Sequence, residues 1–194
     1  DIAREPSPAR DPSTLRIVTT SRLHERKRVV DLVEAASIAH SRGIKLELEI
    51  YGPDAGALAQ IQAAIYRSGA TAYVRYAGTL PYDSVKPTIR DFDLYVLAAE
   101  AEPFPYSLLE ALSEGMACIC TTRCGLAPYL VDSDAGLVVN PGADEIAQAI
   151  AQLTDSELRT RLGNNAIALC RQRFSIETVA QLAIDYYTES KSHL

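Results

Sequence analysis

Six short runs of apolar and branched residues recur along the chain: Leu15 to Thr20, Ile44 to Tyr51, Ala72 to Ala77, Asp93 to Ala98, Ala117 to Thr121 and Gly136 to Asn140. Each has the length and the β-branched or aromatic enrichment of a strand. Their starts lie 19 to 29 residues apart, too far for hairpins and with room for a helix in most gaps, so the pattern predicts parallel βα units. The runs are mostly continuous rather than alternating, as expected when helices cover both faces of a sheet.

The gaps carry the helical period. Val29, Leu32 or Val33, and Ala36 form one apolar stripe, and Leu58, Ile61 and Ile65 another, each suited to lie on a sheet. Pro87 in the third gap should kink or delay its helix. Behind the last strand, Ile146, Ile150 and Leu153, then Leu158, Leu162 and Leu169, then Val179, Leu182 and Tyr186 predict a helical tail. The fold class is α/β: a doubly wound, six-stranded parallel sheet of Rossmann-like type with C-terminal helices. Residues 1–14, with three prolines in the first thirteen, are expected to be a linker, 15–175 one domain, and 176–194 a C-terminal helix.

Composition narrows the function classes. Of 194 residues, 47% are hydrophobic and 23% charged, an ordinary globular balance that excludes wholesale disorder. Nineteen basic against twenty-five acidic residues give a net charge of -6, which disfavours nucleic acid and anionic membranes as partners. A phosphate ligand would then need a local basic pocket. Cys118, Cys120, Cys124 and Cys170 form no CxxC pair and only three histidines accompany them, so buried reduced thiols and a cytoplasmic setting are expected, with no metal site. No run approaches the length of a transmembrane segment.

In an open parallel sheet the ligand lies beyond the carboxyl ends of the strands, so the turns there carry the candidate chemistry. The first reads SRLHERKR, with Arg22 and Lys27 five apart; no GxGxxG is present, against an ordinary dinucleotide cleft. An arginine fork and a lysine point charge suit a diphosphate, although a solvated basic loop has the same composition. Gly52 and Gly78 end the second and third strands and suit either tight turns or a close backbone approach.

The fourth turn runs EAEPFPYSLLEALSEG. Tyr106 to Glu114 predicts a helix with Pro105 in its first turn, whose amides at Tyr106, Ser107 and Leu108 could receive phosphate oxygens. Glu102 and Glu110 bracket seven residues. Carboxylates accept from sugar or ribose hydroxyls, but one glutamate favoured by a helix N-terminus and one facing solvent would read the same.

Together SRLHERKR, the two glycines, EPFPYSLLEALSEG and the later GLVVNPG resemble the retaining, nucleotide-sugar-dependent glycosyltransferases of GT-B type, family 4 (group 1), over roughly Leu15 to Thr188. Ser21, Arg22, Leu23, Lys27 and Arg28 occupy the family's GRLxxxKG, and Glu102 to Glu110 its Glu-x7-Glu. Ser21 and Arg28 replace glycines, Pro103 and Pro105 stand where glycines are common, Ala117 replaces a common proline, and Pro128 lies near a frequent glutamate.

The resemblance implies the C-terminal, donor-binding half of a hexosyltransferase. Arg22, Lys27 and Glu102 would be catalytic, and Gly52, Gly78, Phe104, Tyr106, Ser107, Leu108 and Glu110 would bind the UDP-sugar or GDP-sugar donor. No cofactor or metal is implied. A glycan, lipid-linked or small-molecule acceptor would be held by an N-terminal domain to which the last helix crosses, in a cytoplasmic or membrane-peripheral protein, and this chain alone would be inactive. The alternatives are a non-catalytic nucleotide-sugar-binding or scaffolding module, or half of a GT-B-fold nucleotide-sugar epimerase.

Overall fold

A computed structural model of the chain describes residues 11–191. Six strands, β1 (Leu15–Thr20), β2 (Leu46–Tyr51), β3 (Val74–Tyr76), β4 (Leu94–Leu97), β5 (Ala117–Thr121) and β6 (Leu137–Val139), form one sheet in the order β3-β2-β1-β4-β5-β6. Every pairing is parallel. Eight helices accompany them among the described residues: α1 (Val29–Ser41), α2 (Leu58–Arg67), α3 (Tyr82–Ile89), α4 (Tyr106–Ser113), α5 (Ala127–Asp132), α6 (Ala143–Gln152), α7 (Ser156–Arg173) and α8 (Ile176–Lys191).

The continuous apolar runs are explained by the two cores. Leu15, Ile17, Leu94, Val96, Ala117 and Ile119 face one side, with Leu32, Val33 and Ala36 of α1, Ile61 of α2 and Ile146 and Ile150 of α6. Val18, Tyr95, Leu97, Cys118 and Cys120 face the other, with Leu108 and Leu112 of α4, Leu130 of α5 and Ala166 and Leu169 of α7. Alternate residues of one strand thus enter different cores, and neither face is left to water. Cys118 and Cys120 do share a face, and all four cysteines are free thiols.

Several expectations are refined. β3 and β6 are three residues each, shorter than their apolar runs because they form the sheet edges and pair on one side only. Pro87 lies inside α3; its missing amide gives no bond toward Asp83, and the helix ends two residues later. Pro105 is the residue before α4 rather than part of its first turn. The six-residue α5 is too short to show a period. Of the expected linker, residues 1–10 lie outside the described residues, while Asp11 closes a turn by accepting from the Ser13 amide at 2.9 Å. α8 carries exposed Ile176, Val179, Leu182 and Tyr186; residues 192–194 lie outside the described part.

Leu112 is fully buried and Leu182 is 60% exposed. Leu112→Ala is expected to cost about 3 kcal/mol and Leu182→Ala no more than about 0.5 kcal/mol, read from urea denaturation midpoints.

Candidate functional site

The chain winds outward from β1 through β2 to β3, then returns to the centre at β4 and winds the other way. The crevice between the loops after β1 and β4 is therefore the topological switch point, where such sheets hold their ligands. Both sequence-predicted clusters fall there.

The loop after β1 is built around Leu23, which is fully buried. Its amide donates to the Pro53 carbonyl at 2.9 Å, and its carbonyl accepts from Ala55 and Ala57 at 3.0 Å each. His24 then starts a 3-10 turn, Glu25–Lys27, its Nδ1 accepting from the Arg26 amide at 3.2 Å. Arg28 follows in left-handed geometry, φ 49° and ψ 37°. That conformation explains why glycine suits this position; here it is offset by ion pairs from Arg28 to Asp31 at 2.7 Å and Glu100 at 3.4 Å, which also hold the guanidinium protonated.

The turn brings Lys27 onto Glu102, and the two form an ion pair with side chains only 19% and 17% exposed. Arg22 is exposed, and its guanidinium has no hydrogen bond or ion pair among the described residues. Ser21, in contrast, has a buried hydroxyl without a hydrogen-bond partner among the described residues. Gly52 presses its α-carbon against the Ser21 carbonyl, where a Cβ would collide, and its φ is 144°. Its amide donates to Gly78 at 2.8 Å, and its carbonyl accepts from the Tyr76 hydroxyl at 2.9 Å. The close approach at Gly52 is thus to the chain itself, while Gly78 has open space beside it.

The loop after β4 is pinned on both sides. The Glu100 amide donates to the Arg26 carbonyl at 2.9 Å, the Glu102 amide to Arg123 at 3.3 Å, and the Gly125 amide to the Glu102 carbonyl at 2.9 Å. A Cβ on Gly125 would strike the Pro103 carbonyl, so only glycine lets the two loops meet. Pro105 then turns the chain into α4 with φ -82° and ψ 95°. The first α4 backbone bond is from Leu109 to Pro105 at 3.1 Å, and no side chain caps the helix. Tyr106, Ser107 and Leu108 precede that bond, so their amides are the unpaired donors of the helix start.

Tyr95, fully buried on β4, ties the two sides together. Its hydroxyl lies 3.0 Å from the Thr20 carbonyl, 2.8 Å from Ser107 Oγ and 3.3 Å from Thr20 Oγ1. Burial pushes its pKa up to about 12, so the phenol keeps its proton at neutral pH. The end of β1 and the tip of α4 are therefore joined through one oxygen.

Phe104 is 42% exposed, its ring edge-on to Tyr106 at 5.2 Å and to Phe174 at 6.2 Å between centroids. Glu110, on the second turn of α4, is part-buried, and its carboxylate has no direct hydrogen bond or ion pair among the described residues. Burial raises its pKa, partly opposed by Lys86. The structure thus joins Lys27 to Glu102 and sets the loop that carries Arg22 and the start of α4 at the same end of two adjacent strands. Leu23 was named only as a position of the GRLxxxKG motif, and Tyr95 and Gly125 were not singled out: a tyrosine in an aliphatic strand was the one available signal. Among the described residues, no three His, Cys, Asp or Glu are grouped to hold a metal ion, and no helix is long and apolar enough to cross a membrane.

Comparison with known proteins fits this geometry. The family model described as "Glycosyl transferases group 1" matches residues 4–169. The lipopolysaccharide core biosynthesis glycosyltransferase LpsE of Rhizobium meliloti is 29% identical over 181 residues, 92% of this chain and 50% of that protein. N-acetyl-alpha-D-glucosaminyl L-malate synthase of Bacillus anthracis is 29% identical over 175 residues, 88% of this chain and 45% of its own length. The chain thus spans about half the length of these curated relatives. Among solved structures, HepE of Anabaena in complex with UDP superposes with a TM-score of 0.82 at 19% identity, covering 91% of this chain and 49% of that one. The pneumococcal O-GlcNAc transferase GtfA in complex with UDP and GlcNAc gives 0.75 at 22% identity, covering 92% and 36%. The sheet and helices are those of a GT-B half.

Two substitutions probe the loop contacts. Ser21→Ala removes the orphaned hydroxyl and should raise stability by about 1 kcal/mol, whereas Gly125→Ala forces the Pro103 loop away and should lower it by about 2 kcal/mol. Both are read by chemical denaturation.

Proposed function

The chain belongs to the group 1 glycosyl transferases, and on that premise we propose that it binds the nucleoside diphosphate sugar from which a hexosyl group is transferred, with retention, to an acceptor held by parts of the protein outside it. The observation that carries this reading is the meeting of the Arg22–Lys27 turn and the Glu102–α4 turn at the switch point, held by the Lys27–Glu102 pair. Solved relatives of this fold described with bound UDP support the donor class.

In this reading the Arg22 guanidinium takes two oxygens of the diphosphate and the Lys27 ammonium a third, while the amides of Tyr106, Ser107 and Leu108 point at the same charge. These groups act most strongly when the sugar departs, because negative charge then grows on the nucleoside diphosphate. Preorganised donors of this kind contribute roughly 3 kcal/mol each, so the neutralising role that a bound divalent ion can play falls to the two cations. Lys27 has three donor protons and can hold Glu102 and a phosphate oxygen together. Glu102 then accepts from the sugar hydroxyls, and Glu110 from the ribose hydroxyls. Phe104, Gly52 and Gly78 shape the loops around the donor.

Pro103 and Pro105 supply no amides, which favours, as a second reading, a donor-binding module that does not turn over. Transfer by the full-length protein separates the two.

Calorimetry on this chain with UDP, GDP and their sugar conjugates is the test. Binding is expected for one nucleotide class. Arg22→Ala should weaken it by about tenfold or more, as for loss of a charge-assisted bond. Glu102→Gln breaks the ion pair that holds the two turns together and should weaken UDP binding several-fold. Absence of binding to any nucleoside diphosphate at millimolar concentration, or unchanged affinity in Arg22→Ala, would overturn the reading.

A further inference from the structure

The Tyr95 hydroxyl is a buried oxygen with one proton and three oxygen neighbours, and its proton accounting has a consequence for the site. The Thr20 carbonyl can only accept, whereas Thr20 Oγ1 and Ser107 Oγ can donate or accept. If Tyr95 donates to the Thr20 carbonyl, 3.0 Å away, then Ser107, at 2.8 Å, must donate to Tyr95. Ser107 then shows only lone pairs to the crevice. If Tyr95 instead donates to Ser107 Oγ, its own oxygen accepts from Thr20 Oγ1 at 3.3 Å, and the Ser107 proton is free to point outward. The two arrangements differ only by rotation of hydroxyl hydrogens.

We propose that Tyr95 is a positioning residue that makes the Ser107 hydroxyl a further donor to the diphosphate, through a hydroxyl chain running from Thr20 Oγ1 through Tyr95 to Ser107 Oγ. The inference rests on the donor-binding reading above and extends it to a side chain in the core. An anion at the α4 tip selects the outward arrangement, because it accepts from Ser107 where lone pairs would repel it. Thr20 Oγ1 then donates, and Tyr95 and Ser107 each accept and donate in turn, so each bond polarises the next in the dry interior. Thr20 and Tyr95 are 7% and 0% exposed, so water does not compete for the inner links. A phenol held well below its ionisation range stays a donor throughout neutral pH.

Tyr95 touches no ligand itself; it acts through Ser107.

UDP affinities of Tyr95→Phe, Ser107→Ala, Ser107→Thr and the Tyr95→Phe/Ser107→Ala double variant test the inference, each measured at a temperature where its melting curve shows it folded. Ser107→Ala should weaken UDP binding about 3- to 10-fold, the worth of one hydrogen bond, and Tyr95→Phe by a smaller but measurable factor of about 2 to 3, because Ser107 keeps its proton and loses only the bond that orients and polarises it. The double variant should be no weaker than Ser107→Ala, because Tyr95 has nothing to act through once that hydroxyl is gone. Ser107→Thr, which keeps a hydroxyl at the same atom, should retain affinity, which a loss of packing alone would not produce. Wild-type binding with unchanged affinity in Tyr95→Phe or Ser107→Ala, additive losses in the double variant, or failure of Ser107→Thr to retain affinity would each overturn the inference. Lack of UDP binding by the wild type would instead sink the donor-binding reading on which it stands.

Discussion

An ion pair between Lys27 and Glu102 joins two loops that belong to opposite halves of the sheet, and the arrangement of the crevice depends on it. The loop after β1 feeds the half that winds toward β3, and the loop after β4 feeds the half that winds toward β6. Nothing in the ladder of either half requires their tips to touch. A pair with both side chains more than four-fifths buried costs desolvation, and that cost is recovered only if partner and geometry are both present. The pairing therefore holds Glu102 at a defined place, while Arg22 is an exposed cation on the loop that also carries Lys27. In a chain of net charge -6, the Arg22 guanidinium, without an ion pair among the described residues, puts an open positive charge on the loop after β1.

Backbone contacts reinforce that ion pair. Gly52 seats against Ser21, and Gly125 against Pro103, each a place where a side chain would hold the loops apart. Main-chain bonds from Glu100 to Arg26 and from Gly125 to Glu102 complete the stitching. The cost of ordering these loops is thus met on folding rather than on binding, which is the preorganisation that an anion site needs. Tyr95 adds a link from below, carrying one buried oxygen to both rims.

The strands were legible because a sheet covered on both sides writes itself as continuous apolar runs, and Ile17 and Val18 entering different cores is the structural form of that pattern. The helices with a clear stripe, α1 and α2, were legible for the same reason. Where only one and a half turns exist, as in α5, no period has room to appear. Pro105 has a φ compatible with the first helical turn, yet its ψ of 95° places it just outside; the residue type alone does not separate those positions. Arg22 and Lys27 were visible as a charge pattern and the two glutamates as a spacing. Their convergence was not, because Lys27 and Glu102 are 75 residues apart, and local patterns carry no information about which loop faces which. The resemblance to a family supplied the roles that the residues themselves left open. Gly125 was silent for a different reason: its necessity is set by the Pro103 carbonyl, a partner on another loop.

The account's central claim is that one anion is received by the cationic turn and the α4 tip together. Titrating the isotope-labelled chain with UDP and following backbone amide and arginine side-chain resonances tests it most directly. The account predicts that Tyr106, Ser107 and Leu108 amides and the Arg22 guanidinium shift along the same saturation curve. Shifts confined to one of these two loops, or centred elsewhere on the molecule, would contradict it.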